Sequence, residues 1–450
     1  AILQVRKAVM VCMGFETLQV LDGEVLIGIG LANYLCGNDP VLLEPLIKKA
    51  SSEPGVFAEA ASQKSDKKTT AAHDLKEFIK KLELIRPAEL DKRIVAEGYV
   101  GQERARRAVS IAAYRHVKRL RSIYLDGKDP KTLNKRDCLL LIGQTGCGKT
   151  HLCEIVFERL LKLPFVIWNT ANLTSAGYVG GKIEHLLVRL YQVAGNSVPI
   201  AQVGCVILDE IDKVAASQGG TMPGERLGKD VGGESAQSVL LKLLEGGVLS
   251  VPNYSGRDAN AWEFNARDNL IVGAGAFSAL HHRKNRSSVL GFGSEDLPGQ
   301  AGRLGTEELS KYGMQEELIG RFTNIVTLDP LGRDDLRAIL ERNLATRFKN
   351  ELLQDGVAFS IDSAVVDLLV QQALDRKTGA RGLNTCLSDV LQDALFEIYS
   401  TDGVKELRLV CDGKEIGYEV IRQGGKRASI PANEPSPHLA INSVAALSGA

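Results

Sequence analysis

The sequence predicts an α/β protein: a P-loop parallel sheet with helices on both faces, followed by a smaller, mainly helical C-terminal domain. Three observations carry this. An apolar run, Leu139-Leu140-Leu141-Ile142, leads into the glycine-rich segment Gly143-Gln144-Thr145-Gly146-Cys147-Gly148-Lys149-Thr150. A helical stripe follows it at Leu152, Ile155, Val156, Leu160 and Leu163, so strand, loop and helix come in the order a phosphate-binding loop needs. Further apolar runs, at Phe165 to Trp168, Cys205 to Leu208 and Leu270 to Val272, alternate with stripes such as Ile183, Leu186, Leu187, Leu190 and Val239, Leu240, Leu243, Leu244. Strands separated by helices indicate a parallel sheet covered on both faces. After Asn324 to Leu328 the pattern turns helical over Arg333 to Glu351, Ser363 to Leu374 and Ala380 to Ser400, with short strands expected at Glu406 to Val410 and Gly417 to Ile421.

The 450 residues are too many for one ordinary core and imply about two or three domains. Residues 1–60 mix short apolar runs with Gly, Asn and Pro and read as a module of unknown type. Residues 61–85 comprise a lysine-rich polar linker, ASQKSDKKTT, and a helix expected from His73 to Leu84. The large α/β domain is assigned to 86–328, the small helical domain to 329–422, and the Gly-, Ser-, Pro- and Ala-rich stretch 423–450 reads as a mobile tail.

Lys+Arg and Asp+Glu both total 55, so the bulk charge offers no footprint for nucleic acid or an acidic membrane surface. The eight cysteines are scattered without a C-x-x-C pair, which fits a reducing compartment rather than zinc or a disulfide framework. The apolar stretch Val25 to Cys36 is too short to span a bilayer and follows Asp22 and Glu24, with no basic segment before it. The expected location is cytoplasmic, with no membrane partner.

The P-loop carries the chemistry. Its glycines let successive N–H groups converge on one anion while the next helix presents its positive dipole end there. Gly143, Gln144, Thr145, Gly146, Cys147, Gly148, Lys149, Thr150 and, in the first helical turn, His151 are the predicted nucleotide-binding residues. Lys149 reaches the β- and γ-phosphates and the Thr150 hydroxyl binds Mg²⁺. Val206-Ile207-Leu208-Asp209-Glu210 ends a strand in two carboxylates, where parallel sheets present their ligand sites. Asp209 is the expected Mg²⁺ residue, directly or through water, and Glu210 the group that orients and deprotonates the attacking water. By itself the pair also reads as an acidic cap on the next helix.

Six motifs in order carry a resemblance: GQTGCGKT, AGYVG (Ala176 to Gly180), ILDEIDK (Ile207 to Lys213), KLLEG (Lys242 to Gly246), ELIGRF (Glu317 to Phe322) and KTGARGL (Lys377 to Leu383). From about Arg86 to Cys411 the chain resembles the ClpX-like AAA+ ATPases, unfoldases that feed a barrel protease. The resemblance implies an AAA+ sheet and small domain, ATP and Mg²⁺ as cofactors, a homohexamer, a ClpP-type peptidase partner, and unfolded or tagged proteins as substrates. It makes Arg321 the arginine finger reaching a neighbouring subunit's γ-phosphate. It makes Arg381 the sensor-2 arginine and places Val100 against the adenine. Tyr178 and Val179 become the first pore loop, where an aromatic on a glycine-flanked loop grips any polypeptide by packing. Lys229 to Glu234 is similar to the second pore loop, and Leu290-Gly291-Phe292 to the tripeptide that docks on the peptidase.

Four departures from the family stand out. No pair of C-x-x-C motifs marks an N-terminal zinc module, and Gly181-Lys182 replaces an acidic pair after the first pore loop. Arg257-Asp258-Ala259 stands where the family has a basic pore-entrance loop, and Leu270 to Phe277 offers no polar sensor-1 residue. A remodeller that works without a protease, and a nucleotide-dependent binding switch, are the competing expectations.

Overall fold

The computed structural model describes residues 19–21, 24–26, 70–174, 183–216, 231–252, 261–278, 280, 305–413, 415–422 and 427–431. Strands β1 (Gln19–Leu21) and β2 (Glu24–Leu26) form an antiparallel pair. A helix over 70–81, α1, begins and ends about three residues before the predicted one. It is followed by α2 (Pro87–Ala96), which has Pro87 at its first turn, where no amide hydrogen is needed, and by α3 (Glu103–Tyr124).

The central sheet contains β3 (Cys138–Ile142), β4 (Phe165–Asn169), β5 (Cys205–Asp209), β8 (Leu270–Gly275) and β9 (Asn324–Thr327), all parallel, in the order β4-β5-β8-β3-β9. Between β5 and β8 lies an antiparallel hairpin, β6 (Val248–Val251) with β7 (Trp262–Asn265), that the sequence pattern did not predict. The strands read as unbroken apolar runs because both faces are buried. Leu139, Leu141, Cys205, Ile207, Leu270 and Val272 face one core with α1, α2, α3 and the helix after the P-loop. Cys138, Leu140, Ile142, Val206, Leu208 and Ile271 face the other, which is covered by α6 (Ile183–Val193), α7 (Ile211–Ala216) and α8 (Val231–Glu245). The helix after the P-loop, α4 (Lys149–Cys153), continues as π-helix over Glu154–Leu160, and α5 (Ala171–Thr174) follows β4. Short helices α9 (Thr306–Tyr312) and α10 (Glu316–Ile319) lead into β9.

A separate core lies C-terminal to the sheet. It is built from α11 (Arg333–Ile339), a π-helical turn at Leu340–Leu344, α12 (Ala345–Gln354), α13 (Ser363–Arg376) and α14 (Gly379–Ser400). Against them pack β10 (Ala358–Ile361), β11 (Val404–Cys411), β12 (Ile416–Arg422) and β13 (Arg427–Pro431), in that order. The two expected strands are β11 and β12. β10, parallel to β11, and β13, antiparallel to β12, were not expected, and β13 lies inside the stretch read from composition as an aperiodic tail. The α/β class and its sequel hold as predicted. No helix among the described residues is long and apolar enough to cross a membrane.

Candidate nucleotide site

β3 delivers the chain to the carboxyl edge of the sheet, and the Gly143 amide donates to the Gly275 carbonyl at the end of β8 (3.1 Å), fixing where the loop starts. Gly146 and Gly148 then take left-handed backbone angles (φ 80° and 96°), which a side chain would strain. The curl they allow encloses the Lys149 ammonium, which donates to the Gly143 and Gln144 carbonyls at 2.6 and 3.0 Å and is 8% exposed. The ammonium thus rests on carbonyls of the same loop whose backbone N–H groups can receive an anion. Cys147 is buried beside it, and burial pushes its thiol above the usual range against the pull of Lys149.

The P-loop and the strand-end carboxylates are brought together. Strands β3 and β5 are separated by β8, roughly 10 Å in all at ordinary strand spacing. The Thr150 hydroxyl closes the gap by donating to Asp209 Oδ2 at 3.1 Å, while Asp209 Oδ1 accepts the Glu210 amide at 2.9 Å. A hydroxyl and a carboxylate converging from two elements form the oxygen donor set that suits a hard cation such as Mg²⁺. Glu210 has a left-handed φ of 56°, unusual for a residue with a Cβ. Its carboxylate accepts from Asn169 Nδ2 at 3.0 Å.

Asn169 is a site residue that the sequence reading missed. It pairs in register with Asp209 across β4 and β5, and its Oδ1 accepts the Ala171 amide (2.9 Å), which orients the amide group. The available signal was a polar residue one position past the apolar run Phe165 to Trp168. Asp212 was missed as well. It is 3% exposed and its Oδ1 accepts the Ala276 amide at 3.2 Å, reaching from α7 to the end of β8, where residues 273–277 carry no polar side chain.

On the other side of the loop, the Tyr99 hydroxyl donates to the Gly148 carbonyl at 3.2 Å and its ring lies 6.1 Å from the His151 imidazole. Burial drives the Tyr99 phenol far above its ordinary range, so it remains a neutral donor. Val100, half-buried, follows Tyr99 in the chain. The same segment reaches the C-terminal unit: Asn343 Nδ2 donates to the Gly98 carbonyl (2.8 Å), and the Gln102 side chain bonds both backbone groups of Asp329 (2.6 and 3.0 Å).

The C-terminal unit also touches the loop directly. The Ala380 amide at the start of α14 donates to the Gly146 carbonyl at 3.2 Å, and a Cβ on Gly146 would lie 2.2 Å from the Thr378 carbonyl oxygen. Arg381, exposed, follows Ala380 and so is brought to the P-loop. Arg321 is not. The Thr323 amide donates to the carbonyl of Cys138, the first residue of β3 (2.8 Å), so Arg321 sits at the amino edge of the sheet. A five-residue strand separates it from its own P-loop, roughly 17 Å at about 3.3 Å per residue. There it pairs with Glu245. Tyr178, Val179, Lys229, Asp230, Arg257 to Ala259, Leu290, Gly291 and Phe292 lie outside the described residues.

Residues 135–325 match the family described as AAA domain (Cdc48 subfamily), and residues 331–410 the C-terminal, D2-small domain, of ClpB protein. The chain is 34% identical over 345 residues to the ATP-dependent Clp protease ATP-binding subunit ClpX of Bacteroides thetaiotaomicron, covering 73% of this chain and 81% of that one. The protein of the same name from Treponema denticola is 33% identical over 347 residues, covering 74% and 81%.

Proposed function

The chain belongs to the ClpX family of AAA+ ATPases, and from that premise we propose that it unfolds proteins and threads them through the pore of a homohexamer for delivery to a ClpP-type peptidase. It is a nucleotide-binding ATPase of the Clp chaperone class. The observation that carries the finer reading is the split of the site. Thr150, Asp209, Glu210 and Asn169 gather at one edge of the sheet, while Arg321 stands at the other. One subunit therefore lacks a cation for its own γ-phosphate from that position, and a neighbour's Arg321 in a closed ring would provide it.

In this reading the loop amides and Lys149 hold the β- and γ-phosphates. Thr150 and Asp209 would hold Mg²⁺, which would supply charge neutralisation at the phosphate oxygens. Glu210 accepts the proton of the attacking water, and Asn169 holds its carboxylate aside until the site is filled. Arg321 in trans stabilises the transferring phosphoryl group, an effect worth about 10³ to 10⁵ in rate where such fingers operate. Arg381, one residue beyond the Ala380–Gly146 contact, connects the nucleotide to rotation of the C-terminal unit. Tyr178 and Val179 grip the polypeptide.

The test is Tyr178→Ala in the full chain, assayed for ATP turnover and for unfolding of a tagged, folded reporter. Turnover is expected to persist within about threefold, about 0.65 kcal/mol of barrier, while unfolding is lost. Undiminished unfolding would remove the pore assignment.

A further inference from the structure

Arg321 follows α10, and helix α8 fixes it at two places. Gln237 on α8, fully buried, donates from Nε2 to the Gly313 carbonyl (3.1 Å) and accepts the Gln315 amide at Oε1 (2.8 Å). These bonds pin the turn from which α10 starts, and the Arg321 amide then donates to the Leu318 carbonyl (3.2 Å) as the helix ends. At the last residue of α8, Glu245 Oε1 accepts from an Arg321 terminal nitrogen at 2.5 Å.

Glu245 is itself not on a loose end. The Arg136 guanidinium donates to the Leu243 and Leu244 carbonyls (2.6 and 2.7 Å) and to the Ala266 and Asn269 carbonyls (2.5 and 2.9 Å). This caps the C-terminal turn of α8 and ties it to the strand connection beside β8. The acid that meets Arg321 is thereby anchored to the sheet.

The Glu245 and Arg321 side chains are 41% and 43% exposed, a setting in which an ion pair adds little to fold stability. Its effect falls on orientation. A guanidinium has five donors; the contact with Glu245 engages one nitrogen and leaves the other N–H groups for a phosphate. We infer that Glu245 is a positioning residue for the arginine finger: it orders the Arg321 guanidinium before the neighbouring subunit's nucleotide engages it. The inference rests on the reading of Arg321 as acting in trans. A latch that withholds Arg321 from phosphate would have the opposite kinetic sign.

Steady-state ATPase measured against ATP concentration on the assembled full-length protein, for wild type, Glu245→Gln, Arg321→Ala and the double variant, tests this. Glutamine keeps the side-chain length, and thermal unfolding serves as the folding control. Glu245→Gln is expected to lower kcat about five- to tenfold with the KM for ATP within about twofold, the loss anticipated when one rotamer-rich side chain is no longer ordered in advance. Arg321→Ala is expected to lower kcat by about 10³ or more, and the double variant to be no slower than Arg321→Ala alone. If Arg321→Ala turns over normally, the finger reading falls and the inference with it. If Arg321→Ala is slow but Glu245→Gln matches or exceeds wild type, or slows the Arg321→Ala protein by the same factor as wild type, the inference alone is overturned.

Discussion

Substitutions at Glu210 separate the chemistry of the site from its architecture. Glutamine preserves the side-chain length, and its Oε1 can still accept from Asn169 Nδ2, the 3.0 Å bond that holds the carboxylate. The side chain is exposed, so stability should change by no more than about 0.5 kcal/mol. What disappears is the proton acceptor, which contributes about 10² to 10⁴ in rate, or roughly 3 to 5.5 kcal/mol of barrier. Glu210→Gln is therefore expected to lower kcat by that factor while binding ATP with unchanged affinity. Glycine at the same position reports on the backbone. A left-handed φ costs a residue with a Cβ about 1 to 2 kcal/mol, and Glu210 has a φ of 56°. Glycine removes that cost but adds chain entropy of about 0.5 to 1 kcal/mol to the unfolded state, leaving a net gain of about 0 to 1.5 kcal/mol, centred near 1. For a unit of the size of the ATPase core, this raises Tm by about 2 to 4 °C. The expectation is a protein more heat-stable than wild type and nearly inert as an ATPase. Phosphate release, binding of a fluorescent ATP analogue and calorimetry read out the three quantities. Normal turnover by Glu210→Gln would refute the base assignment, and a lowered Tm for Glu210→Gly would refute the strain argument.

Two further predictions concern other parts of the molecule. His116 is buried, with Nε2 3.0 Å from the Val203 carbonyl, and burial lowers its pKa to about 4. The unfolded chain, at about 6.5, binds a proton that the folded protein excludes, so stability is intact above pH 6.5 and falls as pH drops toward 4, by about 3 kcal/mol at most. Unfolding measured at pH 7 and pH 5 should show about 2 kcal/mol of this loss in wild type and none of it in His116→Gln. Asp268 nearby is pushed up by burial but brought below the ordinary carboxylate range by Arg267 and Tyr124, so its contribution is lost only at lower pH. Phe292→Ala is expected to abolish co-purification with a ClpP-type peptidase while leaving ATP turnover intact; capture unaffected by that change would refute the loop assignment, and no capture by the wild-type protein would favour a remodeller that works without a protease.

The parts of the site that were legible in the sequence are those written contiguously. The P-loop and the Asp209-Glu210 pair each occupy one stretch at a strand end, and their spacing alone indicates the fold and the chemistry. Asn169 was invisible because its partner Glu210 is forty-one residues away and meets it only through the parallel register of β4 and β5. Asp212 reads as the first polar residue of a helix, and only the position of β8 turns it toward the Ala276 amide. β10 and β13 were missed for another reason. Each is short, and each owes its strand geometry to the longer neighbour that pairs with it rather than to alternation of its own residues. Arg321 was identified by its motif, yet its distance from its own P-loop follows from strand direction, which a motif does not state.

The contact between Gly146 and Ala380 joins the two units of the protein by backbone atoms alone. A Cβ on Gly146 would collide with the Thr378 carbonyl at 2.2 Å, and one on Gly379 with the Gly146 carbonyl at 2.8 Å. Such a joint has no side chain through which its strength could be adjusted. Its clearance is dictated by peptide geometry, and the one hydrogen bond across it, from the Ala380 amide to the Gly146 carbonyl, contributes about 1 kcal/mol net beside the Asn343–Gly98 and Gln102–Asp329 bonds that join the same units. A ligand that filled the loop would press on this backbone contact directly, with no side chain between them to absorb the change.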